Sequence, residues 1–223
     1  MQRILEPELM LDADQATAYA EADFSEPHNA FVTSFQQKHP QFSGKGVVLD
    51  LGCGPGDISC RFAKAYPGCT VFGVDGSPAM LNEGVRLCAR WGEAGTRVVL
   101  KEALLPNGEA LTEAEYGAVI SNSLLHHMPN ATDFWQSITT FAAPGAAIFV
   151  MDLLRPSSAK VAKEMMHRYT ADEPEVLQQD FYHSLLAAFS REEIQAQLCA
   201  AQLGHLTFEQ TSDRHWIVWG KRS

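Results

Sequence analysis

Between residues 44 and 154, short apolar runs alternate with stretches of helical periodicity. Val47, Val48, Leu49 and Leu51 form a compact apolar run bounded by glycines, which predicts a buried strand over 47–51. Ile58, Phe62 and Ala65 then recur near helical spacing and predict a helix over 57–66. A second strand is expected over 70–75. Ser77 followed by Pro78 marks a helix start, because a hydroxyl caps the free amides and proline is tolerated in the first turn. That helix continues through Met80, Leu81, Val85 and Leu87. Further strands are expected over 97–101, 118–121 and 146–153, with a helix through Phe134, Ile138 and Phe141 between the last two. Strand alternating with helix implies a mostly parallel sheet covered on both faces.

The flanks differ. Residues 1–43 are helix-like, with aromatic positions at Tyr19, Phe24, Phe31 and Phe35 and expected breaks at Pro27 and Pro40. Leu177, Phe181, Leu185 and Phe189 recur every fourth residue, a stripe better suited to core than to a ligand box. Ser190 with Glu193 fits a capping box opening a helix through Ile194, Leu198 and Ala201. Two strand-like runs, 206–210 and 215–219, follow with only a few polar residues between them, too few for a parallel crossover. They should pair as an antiparallel hairpin. The expected architecture is therefore α/β, a doubly wound, seven-stranded, mostly parallel sheet ending in that hairpin. Residues 1–43 form an N-terminal helical cap on a domain spanning 44–223, a helical insertion occupies about 155–190, and the whole is a single structural domain.

Composition narrows the class of partner. With 223 residues and 46% hydrophobic content, the chain can bury a sizeable core. The net charge of −10 lacks the basic face usual for nucleic-acid binding, so no nucleic-acid partner is expected. No apolar run approaches the roughly 20 residues a membrane span needs, and no signal-peptide pattern opens the chain. Five cysteines with no C-x-x-C pair read as reduced thiols, consistent with a cytoplasmic protein, monomer or homodimer.

Asp50, Leu51, Gly52, Cys53, Gly54, Pro55 and Gly56 follow the first strand and open the first helix. Glycines there permit a tight turn and close approach of a ligand to the main chain. The spacing is G-x-G-x-G, whereas a dinucleotide site would need glycine or alanine where Asp57 stands. An acidic side chain at that helix start repels a pyrophosphate, which argues against NAD or FAD. Asp75 ends the second strand, where a carboxylate can accept both ribose hydroxyls. An adenosine ligand carrying a cation instead of phosphates suits these acids better.

These segments resemble the first two motifs of class I S-adenosylmethionine-dependent methyltransferases. Lys101, Glu102 and Ala103 match the place where that family often sets an acid near the adenine, usually Asp and here Glu. The run from Ala118 through Asn122, Ser123, Leu124, Leu125, His126 and His127 is similar to the family's fourth strand and its loop. Ala143, Pro144, Gly145 and Ala146 are similar to the turn before its fifth strand. The likeness covers roughly 44–154 and the terminal hairpin, and is nearest to small bacterial enzymes with UbiE-like domains. It implies a Rossmann-like fold and S-adenosyl-L-methionine as cofactor. By the family pattern, Gly52, Gly54 and Gly56 contact the methionine and ribose portions, together with Asp50 and Cys53. Asp75 and Gly76 serve the ribose, Met80 packs on the adenine, and Glu102 with Ala103 meets its edge. Asn122, Leu124 and His127 lie close to the methionine portion, and Tyr19, one helical turn from Asp23, forms part of a lid.

Methyl transfer from a sulfonium is an in-line displacement that depends on orientation and exclusion of water more than on covalent help. His126 is the candidate general base. Adjacent histidines do not readily face one point, so at most one of the two is expected to act, the structural alternative being a loop histidine bonded to backbone or helping the cofactor site. No metal is expected, since no H-x-x-x-H or E-x-x-H spacing accompanies them. Asp152, Arg155 and Tyr182 are candidate contacts to a small-molecule acceptor, with a plain Asp152–Arg155 pair as the structural alternative for the first two. The expected activity is S-adenosylmethionine-dependent methylation of a small molecule. The alternatives are a non-catalytic S-adenosylmethionine-binding protein and a methyltransferase acting on a protein or peptide.

Overall fold

The computed structural model describes residues 1–6, 11–106, 111 and 116–223. Helices α1 (Ala13–Glu21) and α2 (Ser25–Lys38) precede β1 (Lys45–Leu51), α3 (Asp57–Ala65), β2 (Gly68–Asp75) and α4 (Pro78–Arg90). Then come β3 (Val98–Glu102), β4 (Tyr116–Asn122), α5 (Ala131–Phe141) and β5 (Ala142–Leu153). Helices α6 (Ala159–Tyr169), α7 (Glu175–Ala187) and α8 (Arg191–Ala200) lead to β6 (Thr207–Gln210) and β7 (His215–Lys221). The strands form one seven-stranded sheet in the order β3-β2-β1-β4-β5-β7-β6. The first five run parallel, while β7 pairs antiparallel with both β5 and β6. The doubly wound sheet and its closing hairpin are thus as the sequence pattern predicts.

Alternation along each strand feeds two cores, because successive side chains point to opposite faces. Leu49, Leu51, Val119, Ile148, Val150, Trp216 and Val218 pack with Phe134, Trp135 and Ile138 of α5 and with Ile194 and Leu198 of α8. Val48, Ala118, Ile120, Ala147, Phe149 and Ile217 face the other way, against Phe31 and Phe35 of α2 and Ile58 and Phe62 of α3. Phe35 is fully buried, with its ring 4.8 Å from Phe62 and 5.8 Å from Phe149. So α2 is a layer of the fold, not an appendage.

Pro27 does not break this helix. It lies in the first turn of α2, where amides have no intrahelical acceptor to lose, and the actual break falls between Glu21 and Ser25. Ser77 caps α4 through the Met80 amide with Pro78 just inside. Ser190 and Glu193 complete the predicted capping box of α8. The segment from 155 to 190 folds as α6 and α7, packed together around Leu153, Ala162, Met165, Leu185 and Leu186. Leu177 and Leu185 of the four-residue stripe are buried as core; Phe189 lies beyond the helix end and bridges to Leu154. Among the described residues, no helix is long and apolar enough to cross a membrane.

Candidate functional site

The sheet reverses its winding between β1 and β4, and the carboxyl ends of strands beside such a reversal form a crevice suited to ligands. The glycine loop after β1, Asp75 and Gly76 after β2, Glu102 and Ala103 at β3, and Asn122 to His127 after β4 all meet at that edge. Asp75 and Glu102 are register partners, and the Ala103 amide donates to the Asp75 carbonyl at 3.0 Å. Glu102 is exposed; Ala103 packs partly against the core.

The loop is braced from within. Gly52, Gly54 and Gly56 all have positive φ, at 68°, 53° and 79°. The Gly52 and Cys53 amides both donate to the Val74 carbonyl, at 2.8 and 3.0 Å. The Gly54 amide donates to Asp75 Oδ2 at 2.8 Å, and the Gly56 amide to the Cys53 carbonyl at 2.9 Å. The Gly52, Cys53, Gly54 and Gly56 amides are thus bonded within the protein, which fixes the course of the loop. The glycines also supply clearance. A side chain at Gly52 would lie 2.7 Å from Leu124, whereas nothing stands within 4 Å of the position a Cβ on Gly54 would take. Cys53 turns inward, its sulfur reaching the place a Cβ on Gly73 would occupy.

Two acids at this edge have different tasks. Asp50 is 2% exposed and accepts from the Ser59 hydroxyl at 2.6 Å. Burial, eased by Ser59 and reinforced by Asp75, pushes its carboxyl up to about 7. It holds β1 to α3 from inside the fold. Asp75 Oδ1 accepts from the Ser77 amide at 2.8 Å while Oδ2 takes Gly54. Burial raises the Asp75 carboxyl above its ordinary value, against the pull of the Ser77, Gly54 and Gly76 amides. Met80 is buried in α4 as core.

Asp57 also needs reinterpretation. Its Oδ2 is 2.7 Å from His28 Nδ1 and 2.6 Å from Arg61 Nε, so its charge is locally compensated instead of standing bare at the helix start. The pair joins α2 to α3. Tyr19 of α1 stacks near Phe24 at 4.8 Å, and burial, then the charges of Asp75 and Asp57, push its hydroxyl up to about 12. Tyr19, Asp23, Phe24, Pro55, Asp57 and Leu87 line a cavity of about 80 Å³ between α1, α2 and the loop. Pockets for small organic ligands run to about 300–1,000 Å³, so α1 covers this edge closely.

On the other side of the crevice, Asp152 at the end of β5 is 1% exposed and binds His126. Its Oδ1 lies 2.5 Å from His126 Nδ1, and Oδ2 accepts the His126 amide at 3.2 Å. Burial would lower the His126 pKa, but the charges and bonds of Asp152 and Glu6 hold it above the ordinary histidine value. Asp152 does not pair with Arg155, which binds Glu193 at 2.8 Å. Asp152 and Arg155, two of the three expected acceptor contacts, are thus engaged internally. Tyr182 packs at the rim of the α6–α7 core, 5.8 Å from the His183 ring.

Glu6 went unmarked in the sequence. Residues 1–6 run along the far edge, with the Ile4 amide bound to the Leu186 carbonyl at 3.0 Å. Arg3 donates to the His126, Met128 and Ala187 carbonyls and stacks 3.9 Å over Phe189. This places Glu6 Oε2 at 3.2 Å from His127 Nδ1 and 3.8 Å from His126 Nε2. The two adjacent histidines therefore do converge, because the single helical turn over 125–127 stacks their rings at 4.1 Å and aims one nitrogen of each at one carboxylate. No local spacing announces Glu6, which reaches them across some 120 residues. All five cysteines are free thiols.

With this geometry in view, comparison with known proteins is informative. Residues 49–148 match the family described as "Methyltransferase domain". An uncharacterized methyltransferase of Mycobacterium tuberculosis is 30% identical over 117 residues, covering 51% of this chain and 54% of that protein. A ubiquinone biosynthesis O-methyltransferase of Methylococcus capsulatus is 29% identical over 134 residues, 59% of this chain and 53% of its own length. The chain thus spans about half the length of these curated relatives. The crystal structure of a SAM dependent methyltransferase from Aquifex aeolicus superimposes with a TM-score of 0.66 at 15% identity, covering 95% of this chain and 99% of that one. At that identity the likeness is one of fold.

Proposed function

We propose that the chain, whose residues 49–148 match the methyltransferase-domain family, transfers the methyl group of S-adenosyl-L-methionine to a small-molecule acceptor. One observation carries the reading. Asp75 stands at the end of β2, fixed by the Gly54, Gly76 and Ser77 amides, beside a glycine whose side-chain direction is open. A carboxylate so placed accepts ribose hydroxyls, and the open face of Gly54 lets an adenosyl ligand lie against the main chain. The Gly52, Cys53, Gly54 and Gly56 amides, already bonded within the protein, are not offered to a pyrophosphate. The reading includes a cytoplasmic setting, supported by five free thiols and an acidic surface.

His126, oriented by Asp152, is the side chain in this reading that can take a proton from an acceptor once residues 1–6 stand aside. Asp152 then acts as the positioning residue behind it. The test is calorimetric titration of the folded protein with S-adenosylmethionine and with its demethylated product. Saturable binding of both is expected; binding of neither overturns the proposal. Incubating the loaded protein with a panel of small hydroxyl, amine and thiol acceptors, followed by mass spectrometry for a gain of one methyl group, tests the transfer. Methylation confined to protein or peptide acceptors overturns the acceptor class.

A further inference from the structure

Glu6, His126 and His127 offer one ligand atom each, and the three atoms lie within 4.8 Å of one another. We infer that these three side chains form a binding site for a divalent transition-metal ion of the zinc type, with Asp152 as its supporting carboxylate. The inference does not rest on cofactor binding, since none of the three is needed to hold the ribose or the loop; with the ion bound, His126 Nε2 is its ligand and no longer the base of the proposed transfer.

Two of the three separations suit an ion directly. Zinc bonds to imidazole nitrogen and carboxylate oxygen measure about 2.0–2.2 Å, which sets neighbouring ligand atoms of a tetrahedron about 3.3 Å apart. The observed separations from Glu6 Oε2 are 3.2 Å to His127 Nδ1 and 3.8 Å to His126 Nε2. The side chains are 8%, 20% and 3% exposed for Glu6, His127 and His126, so this is not a surface cluster of acids.

The second observation is an orphan. His127 Nδ1 is buried and has no hydrogen-bond partner among the described residues, although it faces the Glu6 carboxylate at 3.2 Å. A lone pair left unsatisfied inside a protein costs free energy unless something binds it. An ion between the imidazole and the carboxylate would use both.

The third is the arrangement behind the ligands. Asp152 Oδ1 engages His126 Nδ1, which fixes the tautomer with its free lone pair on Nε2, the atom aimed at Glu6. A ligating histidine commonly rests on such a carboxylate through its other nitrogen. Ser184 Oγ donates to Glu6 Oε2 at 3.1 Å and steadies the third ligand in the same way. With neutral imidazoles, Glu6 and Asp152 together carry the two negative charges that balance a divalent cation in a buried place. Two histidines and one glutamate also leave a coordination position for water or an acceptor heteroatom.

The experiment strips the protein with a chelator and titrates it with Zn²⁺ against a chromophoric competitor. The same protein is then titrated with Co²⁺ and followed by visible absorption. One equivalent of each should bind, and the Co²⁺ complex should show d–d bands without a thiolate charge-transfer band. Glu6→Gln and His127→Ala should each weaken Zn²⁺ binding at least about tenfold, and Asp152→Asn by about 10–100-fold; His205→Ala, at a distant exposed histidine, should leave it unchanged. Failure of folded protein to bind either ion overturns the inference. So does a thiolate band, which puts the metal on cysteine, or unchanged affinity in both Glu6→Gln and His127→Ala. The wild-type Co²⁺ spectrum decides the matter even where a variant does not fold.

Discussion

The Asp75 carboxylate accepts the Gly54 amide at 2.8 Å, joining the end of β2 to the middle of the glycine loop. One side chain thereby shapes the loop and, under the proposed function, also holds the ribose. Replacing it should therefore damage ligand binding beyond the loss of one contact. Asp75→Ala is expected to weaken S-adenosylmethionine binding by a factor of about ten to a thousand, the range of charge-assisted hydrogen bonds. Calorimetry on the folded variant measures this, and an unchanged dissociation constant contradicts the ribose assignment.

Gly52 and Gly54 separate two reasons for a glycine. Both take left-handed backbone, costing a substituted residue about 1–2 kcal/mol, but only at Gly52 would a methyl meet Leu124. Gly52→Ala should lose about 2–4 kcal/mol of stability once overpacking is added. Gly54→Ala should lose only about 1–2 kcal/mol yet bind S-adenosylmethionine more weakly. Chemical denaturation paired with ligand titration tests both. A Gly54→Ala protein with full affinity shows that the open face is not where the ligand lies.

Asp50 sets a slope of stability with pH. Its folded value of about 7 exceeds the ordinary 3.8, so between those limits the folded protein keeps a proton that the unfolded chain has released. Its contribution to stability is greatest below about pH 4, declines as pH rises through 7, and then levels. Asp50→Asn retains an acceptor for Ser59 and should flatten that part of the curve. Thermal unfolding of both proteins at pH 5 and pH 8 measures it; equal slopes contradict the burial effect.

Asp57 acts in the opposite sense. Burial pushes its carboxyl up, but the hydrogen bonds and charges of His28 and Arg61 prevail and hold it below 3.8. The stability it confers is present above that value and is lost as pH falls through its depressed folded pKa. Asp57→Asn should cost about 1.5–3 kcal/mol near neutrality and soften the acid limb below pH 4. Urea unfolding from pH 6 down to pH 3 follows this, and a parallel acid limb in the variant refutes it.

Phe35→Ala examines the place of α2. Phe35 is fully buried among Phe42, Phe62, Tyr66 and Phe149. Truncating it should cost about 3–5 kcal/mol, far more than expected for a detachable cap. A loss under about 1 kcal/mol in denaturant titration would mean the helix is peripheral.

The sequence made the sheet legible because its central strands are buried on both faces. Val47 to Leu51 can hardly be anything else, and Ser190 with Glu193 names its own helix. The glycine loop was legible for the same local reason, as was Asp75 at a strand end. What stayed hidden depends on partners distant in the chain. Nothing near Asp57 foretells His28, and nothing near Asp152 tells that it takes His126 while Arg155 turns to Glu193. Glu6 is the extreme case, an ordinary acid in an N-terminal stretch without periodicity. Pro27 misled for a different reason: its effect depends on its position within a helical turn, which pattern alone does not reveal.

The anchoring of residues 1–6 also concerns the order of assembly. Ile4 and Arg3 are bonded to Leu186 and Ala187, at the end of a helix more than 180 residues away. Closing so long a loop is entropically unfavourable until both partners are in place, so this segment docks onto a surface that the rest of the fold has already built. By the same logic it is the part whose release disturbs least, because the two cores on either side of the sheet contain none of its side chains. The two histidines are therefore covered by a segment whose hold on them rests on Arg3, Ile4 and Glu6, apart from the packing of the sheet beneath.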